Sequence, residues 1–159
     1  MRGPVVAVIG QGSPEGGPVI EGARAVGTAL AERGATVVTG GLGGVMNAAS
    51  EGARRAGGRV VAIIPGTDRS AATAHADIVI CTGVGEARNL AVVASADAAI
   101  AVGGAWGTLS EIALASRLGR PVVLLASWSV RAPDEPLEPA PLAADSPSHA
   151  VDLALEAIG

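Results

Sequence analysis

The stretch Ala96-Asp97-Ala98-Ala99-Ile100-Ala101-Val102-Gly103-Gly104-Ala105-Trp106-Gly107-Thr108-Leu109-Ser110-Glu111 decides how the rest of the chain is read. It opens as a short apolar strand. Gly103, Gly104 and Gly107 then form a turn in which backbone can approach a ligand closely. A helix follows, and the first N–H groups of a helix have no acceptor inside it. A glycine turn running into a helix N-terminus therefore suits a phosphate or another anion. Upstream, Arg88 offers a guanidinium to the same ligand, and Glu111 is expected on the first helical turn, close to the anion. These two are the candidate catalytic residues.

Outward from this stretch the chain alternates between short apolar runs and amphipathic segments. Val5–Ile9 reads as a strand ended by Gly10-Gln11-Gly12-Ser13-Pro14. Pro18–Arg33 reads as a helix, with a first-turn proline and Gly34 as its stop. Thr36–Thr39 is the second strand, and Gly40-Gly41-Leu42-Gly43-Gly44 leads into a helix through about Ala56. Arg59–Ile64 and Asp77–Cys81 are strands separated by a polar loop over Pro65–Ala76. A helix is expected over Glu86–Ser95, and another from the quoted stretch to Leu118. Val122–Ala126 is the last expected strand. Residues 131–147 carry Pro133, Pro136, Pro139, Pro141 and Pro147 and read as a surface loop before a closing helix, Ser148–Ile158.

Continuous apolar strands alternating with helices imply an α/β fold, a doubly wound and mainly parallel sheet with helices on both faces. The expected architecture is one Rossmann-like domain over residues 1–159. The turns after residues 9, 39 and 102 follow carboxyl ends of strands, so they line the edge where such sheets bind ligands. That makes Gly10, Gly12, Ser13, Gly40, Gly41, Gly43, Gly44, Met46, Gly103, Gly104, Ala105, Trp106, Gly107 and Thr108 the candidate phosphate- or nucleotide-binding residues.

Composition narrows the function. With 159 residues, 49% hydrophobic and 16% charged, the chain supports one well-buried core. A net charge of −4 without a basic tract argues against a nucleic-acid surface. No apolar run reaches the roughly 18–20 residues of a membrane helix. The first residues enter a strand at once and leave no room for a signal peptide, so a cytoplasmic protein is expected. Cys81, the only cysteine, is expected as a buried structural thiol. All 11 basic residues are arginines, which excludes a pyridoxal-phosphate Schiff base and the P-loop lysine. Gly10-x-Gly12 begins like a dinucleotide fingerprint, but the third glycine falls one place late at Gly16 and no acid follows Thr39. His75 and His149 lie in polar surroundings without paired ligands and are expected at the surface; neither a metal nor a resident cofactor is expected. Two site residues also have structural readings. Thr108-x-x-Glu111 has capping-box spacing, and an arginine at a helix start is ordinarily a solvated charge.

Two segments resemble a known family. Gly40-Gly41-Leu42-Gly43-Gly44-Val45-Met46 is similar to the GGG-x-x-GLM segment of the Lonely Guy (LOG) proteins, often mislabelled lysine decarboxylases. Gly103 to Glu111 is similar to their PGG-x-GT-x-x-E signature, and Arg88 falls where they keep a partner arginine. Gly103 replaces the signature proline, Ala105 replaces a glycine, and Asn89 stands where the cytokinin-activating members carry lysine. Pro65–Ser70, Gly85–Asn89 and the short length resemble a bacterial side branch that is itself similar to molybdenum-cofactor carrier proteins and DNA-processing Rossmann proteins. The resemblance spans roughly residues 5–126.

The resemblance implies a nucleoside 5′-monophosphate phosphoribohydrolase that cleaves the N-glycosidic bond. The phosphate is then expected on the amides of Gly104 through Thr108, with the Thr108 hydroxyl as a further donor. Glu111 is expected to stabilise an oxocarbenium-like centre or activate water, with Arg88 holding it ionised. The base is expected to be a purine held loosely by apolar walls, because the chain has few aromatics. The alternative is a non-catalytic carrier of a phosphorylated ligand such as molybdenum cofactor, with Asp68-Arg69-Ser70 helping to line a pterin groove. Single-stranded DNA binding is a third class, opposed by the acidic balance. Apolar helices around Asn89–Ser95 and Ile112–Leu118 predict a homodimer or tetramer.

Overall fold

The computed structural model describes residues 2–159. Seven strands form one sheet: β1 (Val5–Gly10), β2 (Thr36–Thr39), β3 (Arg59–Ile64), β4 (Ile78–Cys81), β5 (Ala98–Val102), β6 (Val122–Leu125) and β7 (Leu142–Ala144). Their order is β4-β3-β2-β1-β5-β6-β7, and every neighbouring pair is parallel. Among the described residues four α-helices lie between strands, α1 (Pro18–Glu32), α2 (Val45–Arg55), α3 (Arg88–Ala94) and α4 (Trp106–Arg117), and α5 (Pro147–Ile158) follows the last strand. The expected α/β Rossmann-like class is the one the chain adopts.

Alternation along the strands divides the core into two layers. Val6, Val8, Val37, Val60, Ile100 and Val123 pack with α1, α2 and α5, whereas Ala7, Ile9, Val38, Ile63, Ala99 and Leu124 pack with α3 and α4. Successive side chains leave opposite faces of a strand, so a sheet covered on both sides needs apolar residues at every position. Helices α1 and α2 lie close together. A Cβ on Gly27 would fall 2.0 Å from the Ala49 carbonyl oxygen, and one on Gly52 would fall 2.0 Å from that of Arg24.

The strand order reverses between β1 and β5. The chain moves outward from β1 to β4 and then returns to the other side of β1, and open α/β sheets bind ligands at the carboxyl ends of strands at such a switch point. Strands β2, β1 and β5 are neighbours, so the three glycine turns share one sheet edge.

Several local expectations need correction. The proline-rich segment contains β7, which pairs with β6 in parallel, Leu142 opposite Val123. It begins directly after Pro141, and an edge strand tolerates proline at its start because the outer N–H has no partner to lose. Helix α5 starts one residue early, capped by Ser146, whose hydroxyl accepts from the His149 N–H at 3.1 Å, with Pro147 in the first turn. The helix expected over Glu86–Ser95 is a 3₁₀ turn at Gly85–Ala87 followed by α3. Cys81 is half-buried rather than buried, because β4 is an edge strand on which Ile78 and Ile80 are also exposed. No helix is long and apolar enough to cross a membrane among the described residues.

Candidate functional site

The first glycine turn is seated directly on its neighbours. A Cβ on Gly10 would lie 2.5 Å from the Val102 carbonyl oxygen and 2.6 Å from the Val45 side chain. Gln11 ties this turn to the other two: its carbonyl accepts from the Val45 N–H at 3.0 Å, and its side-chain oxygen accepts from the Gly104 N–H at 3.3 Å. Glu15 accepts from the Gly44 N–H at 2.8 Å. Met46, almost fully buried, packs beside Gly12, while Gly12 and Ser13 are themselves exposed. Gly44 has φ +60°, and a Cβ there would meet the Gln11 carbonyl oxygen at 2.3 Å. The Thr73 N–H donates to the Gly41 carbonyl at 2.8 Å, which brings the Pro65–Ala76 loop against the second turn. Gln11 and Glu15 are not among the candidate residues read from the sequence; the available signal for Gln11 is its place between the two glycines of the first turn.

Arg88, at the start of α3, is only 8% exposed, so the ordinary reading of a solvated charge does not hold. Its Nη2 donates to the Gly40 carbonyl at 3.3 Å and its Nη1 to the Asn89 side-chain oxygen. Nε is buried without a partner. Gly40 makes the space: a Cβ on it would come within 2.7 Å of Nη2. Burial lowers the pKa of Arg88 from its ordinary value, with the Glu111 and Glu86 charges opposing the shift. The guanidinium nevertheless stays charged at neutral pH.

Glu111 is 7% exposed. Helix α4 begins at Trp106 with Ala105 as its N-cap, so Glu111 lies six residues past the cap, in the second turn. The expected Thr108–Glu111 capping box therefore does not form. Thr108 occupies the third helical position instead, and its hydroxyl accepts from the Ala105 N–H at 3.3 Å. The Glu111 carboxyl is pushed up to about 7, mainly by burial, with the Arg88 charge pulling the other way. The expectation that Arg88 holds Glu111 ionised is corrected on the same ground. The two feel one another's charge but form no ion pair, and loss of solvation outweighs the attraction.

The start of α4 supplies donors. The Gly104 and Ala105 amides already have side-chain acceptors, in Gln11 and Thr108. The amides of Trp106, Gly107 and Thr108 occupy the first three helical positions, where no intrahelical acceptor exists, and Ala105 offers no side-chain cap. Trp106 is 78% exposed and packs against Trp128, with ring centroids 5.4 Å apart and planes tilted by 35°. The Trp128 Nε1–H donates to the Ala105 carbonyl at 3.1 Å. Sequence reasoning missed Trp128, although it is one of only two aromatic residues in the chain.

The family model for the SLOG cluster4 family matches residues 3–151. An uncharacterized protein of Archaeoglobus fulgidus is 49% identical over 100 residues, which are 63% of this chain and 66% of that protein, just under two thirds of its length. The structure of the molybdenum cofactor binding protein from the phototrophic bacterium Rippkaea orientalis superposes with a TM-score of 0.90 at 34% identity, covering 100% of this chain and 99% of that one. The molybdenum cofactor carrier protein from Chlamydomonas reinhardtii superposes with a TM-score of 0.82 at 29% identity, covering 99% and 98%.

Proposed function

This chain belongs to the SLOG cluster4 family, and on that premise we propose that its cleft binds a phosphorylated heterocycle by the phosphate, as a carrier of molybdopterin-class cargo. The observation that carries the reading is the buried Arg88 guanidinium with its unpartnered Nε. Leaving a buried donor unsatisfied costs about 1–3 kcal/mol, and more for a charged group, so an anion that accepts from this guanidinium removes that penalty. The free amides of Trp106, Gly107 and Thr108 add neutral donors at the positive end of the α4 dipole. Gly10, Gly12, Ser13, Gly40, Gly41, Gly43, Gly44 and Met46 form the surrounding floor, and the loop carrying Asp68-Arg69-Ser70 lines the groove for the pterin. The likeness to a molybdenum cofactor binding protein and a molybdenum cofactor carrier protein over their full lengths supports this choice of cargo. A homodimer or tetramer belongs to the same proposal.

Glu111 favours a second reading, hydrolysis of a nucleoside 5′-monophosphate. A carboxyl poised near 7 is present in both protonation states at neutral pH, as an acid–base residue should be. In that reaction water adds to the anomeric carbon of the ribose as the bond to the base nitrogen breaks. The base leaves with the bonding pair and gains a proton, giving free base and ribose 5-phosphate. Ionised Glu111 takes the water proton or stabilises the ribosyl cation.

Guanosine 5′-monophosphate tests both readings, because guanine and a pterin share the 2-amino-4-oxopyrimidine edge. The carrier reading expects binding by calorimetry and nucleotide recovered intact by chromatography. Release of guanine that disappears in Glu111→Gln would replace it with the hydrolase reading. Failure of the nucleotide to bind at millimolar concentration would contradict both.

A further inference from the structure

The chain contains two tryptophans and no tyrosine or phenylalanine, and both tryptophans sit on the glycine turn at the start of α4. Strands β5 and β6 are neighbours with Val102 opposite Leu125, so the segments leaving their carboxyl ends emerge side by side. The Gly103 N–H donates to the Leu125 carbonyl at 3.1 Å, which fastens the two exits together. Ala126 then adopts φ 49°, a left-handed conformation that a non-glycine residue enters only when its surroundings enforce it. Two residues later the Trp128 indole rests on Gly104, where a Cβ would come within 2.7 Å of Nε1, and Nε1–H donates to the Ala105 carbonyl at 3.1 Å. Trp128 is thus anchored from below. Trp106 packs on Trp128 and leaves 78% of its own surface in water. A large, rigid apolar side chain so exposed contributes little to the core, and its place beside the free amides of α4 is continuous with the phosphate site.

We infer that Trp106 is a stacking platform for the flat heteroaromatic ring of the ligand, and that Trp128 is a positioning residue that holds the platform and the turn together. This rests on the proposed phosphate site and adds the selectivity it lacks: ligands with a planar heterocycle beyond the phosphate are preferred over bare sugar phosphates.

Ligand-observed phosphorus NMR and tryptophan fluorescence test the inference on the intact protein, using guanosine 5′-monophosphate and ribose 5-phosphate as probes. With both tryptophans at the site, all tryptophan emission reports on it. Wild type should bind the nucleotide more tightly than ribose 5-phosphate, and only the nucleotide should quench the emission strongly. Trp106→Ala should weaken the nucleotide about tenfold more than it weakens ribose 5-phosphate, the scale of one base–aromatic stack. Trp106→Phe should recover most of that loss, which a merely structural role would not predict. Equal weakening of both probes in Trp106→Ala, or equal wild-type affinity for both, overturns the platform while leaving the phosphate site standing. If wild type binds neither probe, the phosphate site fails and the platform falls with it.

Discussion

Two glycines of the second turn, Gly40 and Gly44, separate binding from stability. A Cβ at Gly40 would press on the movable ends of Arg88 and Met46, whereas one at Gly44 would press on the Gln11 carbonyl at a backbone already at φ +60°. Gly40→Ala should therefore fold with a melting temperature near that of wild type and lose phosphate affinity as Arg88 is displaced. Gly44→Ala should lose at least about 1–3 kcal/mol of stability in denaturant titration. Glu111 gives a pH prediction with a definite sign. Below pH 4.5 the carboxyl is protonated in both folded and unfolded chains. Between 4.5 and about 7 the unfolded chain releases the proton while the folded one keeps it, so stability falls as pH rises. The cost reaches about 3 kcal/mol above pH 7 and is absent from Glu111→Gln, which should be the more stable protein at pH 8. Parallel stability–pH curves for the two proteins would show that Glu111 is not buried as described. None of this was legible from neighbouring residues. Arg88 is buried because Gly40, distant in sequence, leaves it room, and that pairing exists only once β2 and α3 are in place.

Among the elements, those with strong patterns were legible and those set by pairing were not. Strands β1, β2, β3, β4 and β6 are short runs rich in β-branched residues, and their sequence limits agree with the structure to within a residue. Strand β7 has three residues amid prolines and exists because β6 offers it an edge. The start of α4 was misplaced because Thr108-x-x-Glu111 matches a capping pattern, whereas the real N-cap, Ala105, carries no side-chain signal. That error concealed the strongest structural fact about Glu111, which is that it caps nothing. At this scale the closest contact is between α1 and α2. Gly27→Ala should force them apart and cost at least about 1–3 kcal/mol, read as a lower midpoint in urea. An unchanged midpoint would contradict the close packing.

For the whole molecule, topology explains why so much of the site was legible and so little of its occupant. Parallel strands place every carboxyl-end turn on one edge, so three glycine turns from distant sequence meet without any further signal. The placement of Trp128 and Gln11 and the depth of Arg88 come from tertiary packing, which leaves no local sequence signal. Exposed apolar residues carry the prediction on assembly. Ile78 and Ile80 lie opposite Val61 and Ile63, so they share the sheet face covered by α3 and α4, and Leu90 and Leu118 are exposed on or just past those helices. A surface of this kind fits a self-complementary interface burying at least about 1,000 Å². Sedimentation at micromolar concentration should give a dimer or tetramer, weakened by Leu90→Asp; a monomer would contradict it.

The most direct test of the central claim is calorimetric titration of guanosine 5′-monophosphate and of guanosine into wild type and Arg88→Gln. The account predicts that wild type binds the nucleotide and not the nucleoside, and that Arg88→Gln folds normally while losing most of the nucleotide affinity. Equal binding of nucleotide and nucleoside, or full nucleotide affinity in Arg88→Gln, would contradict it.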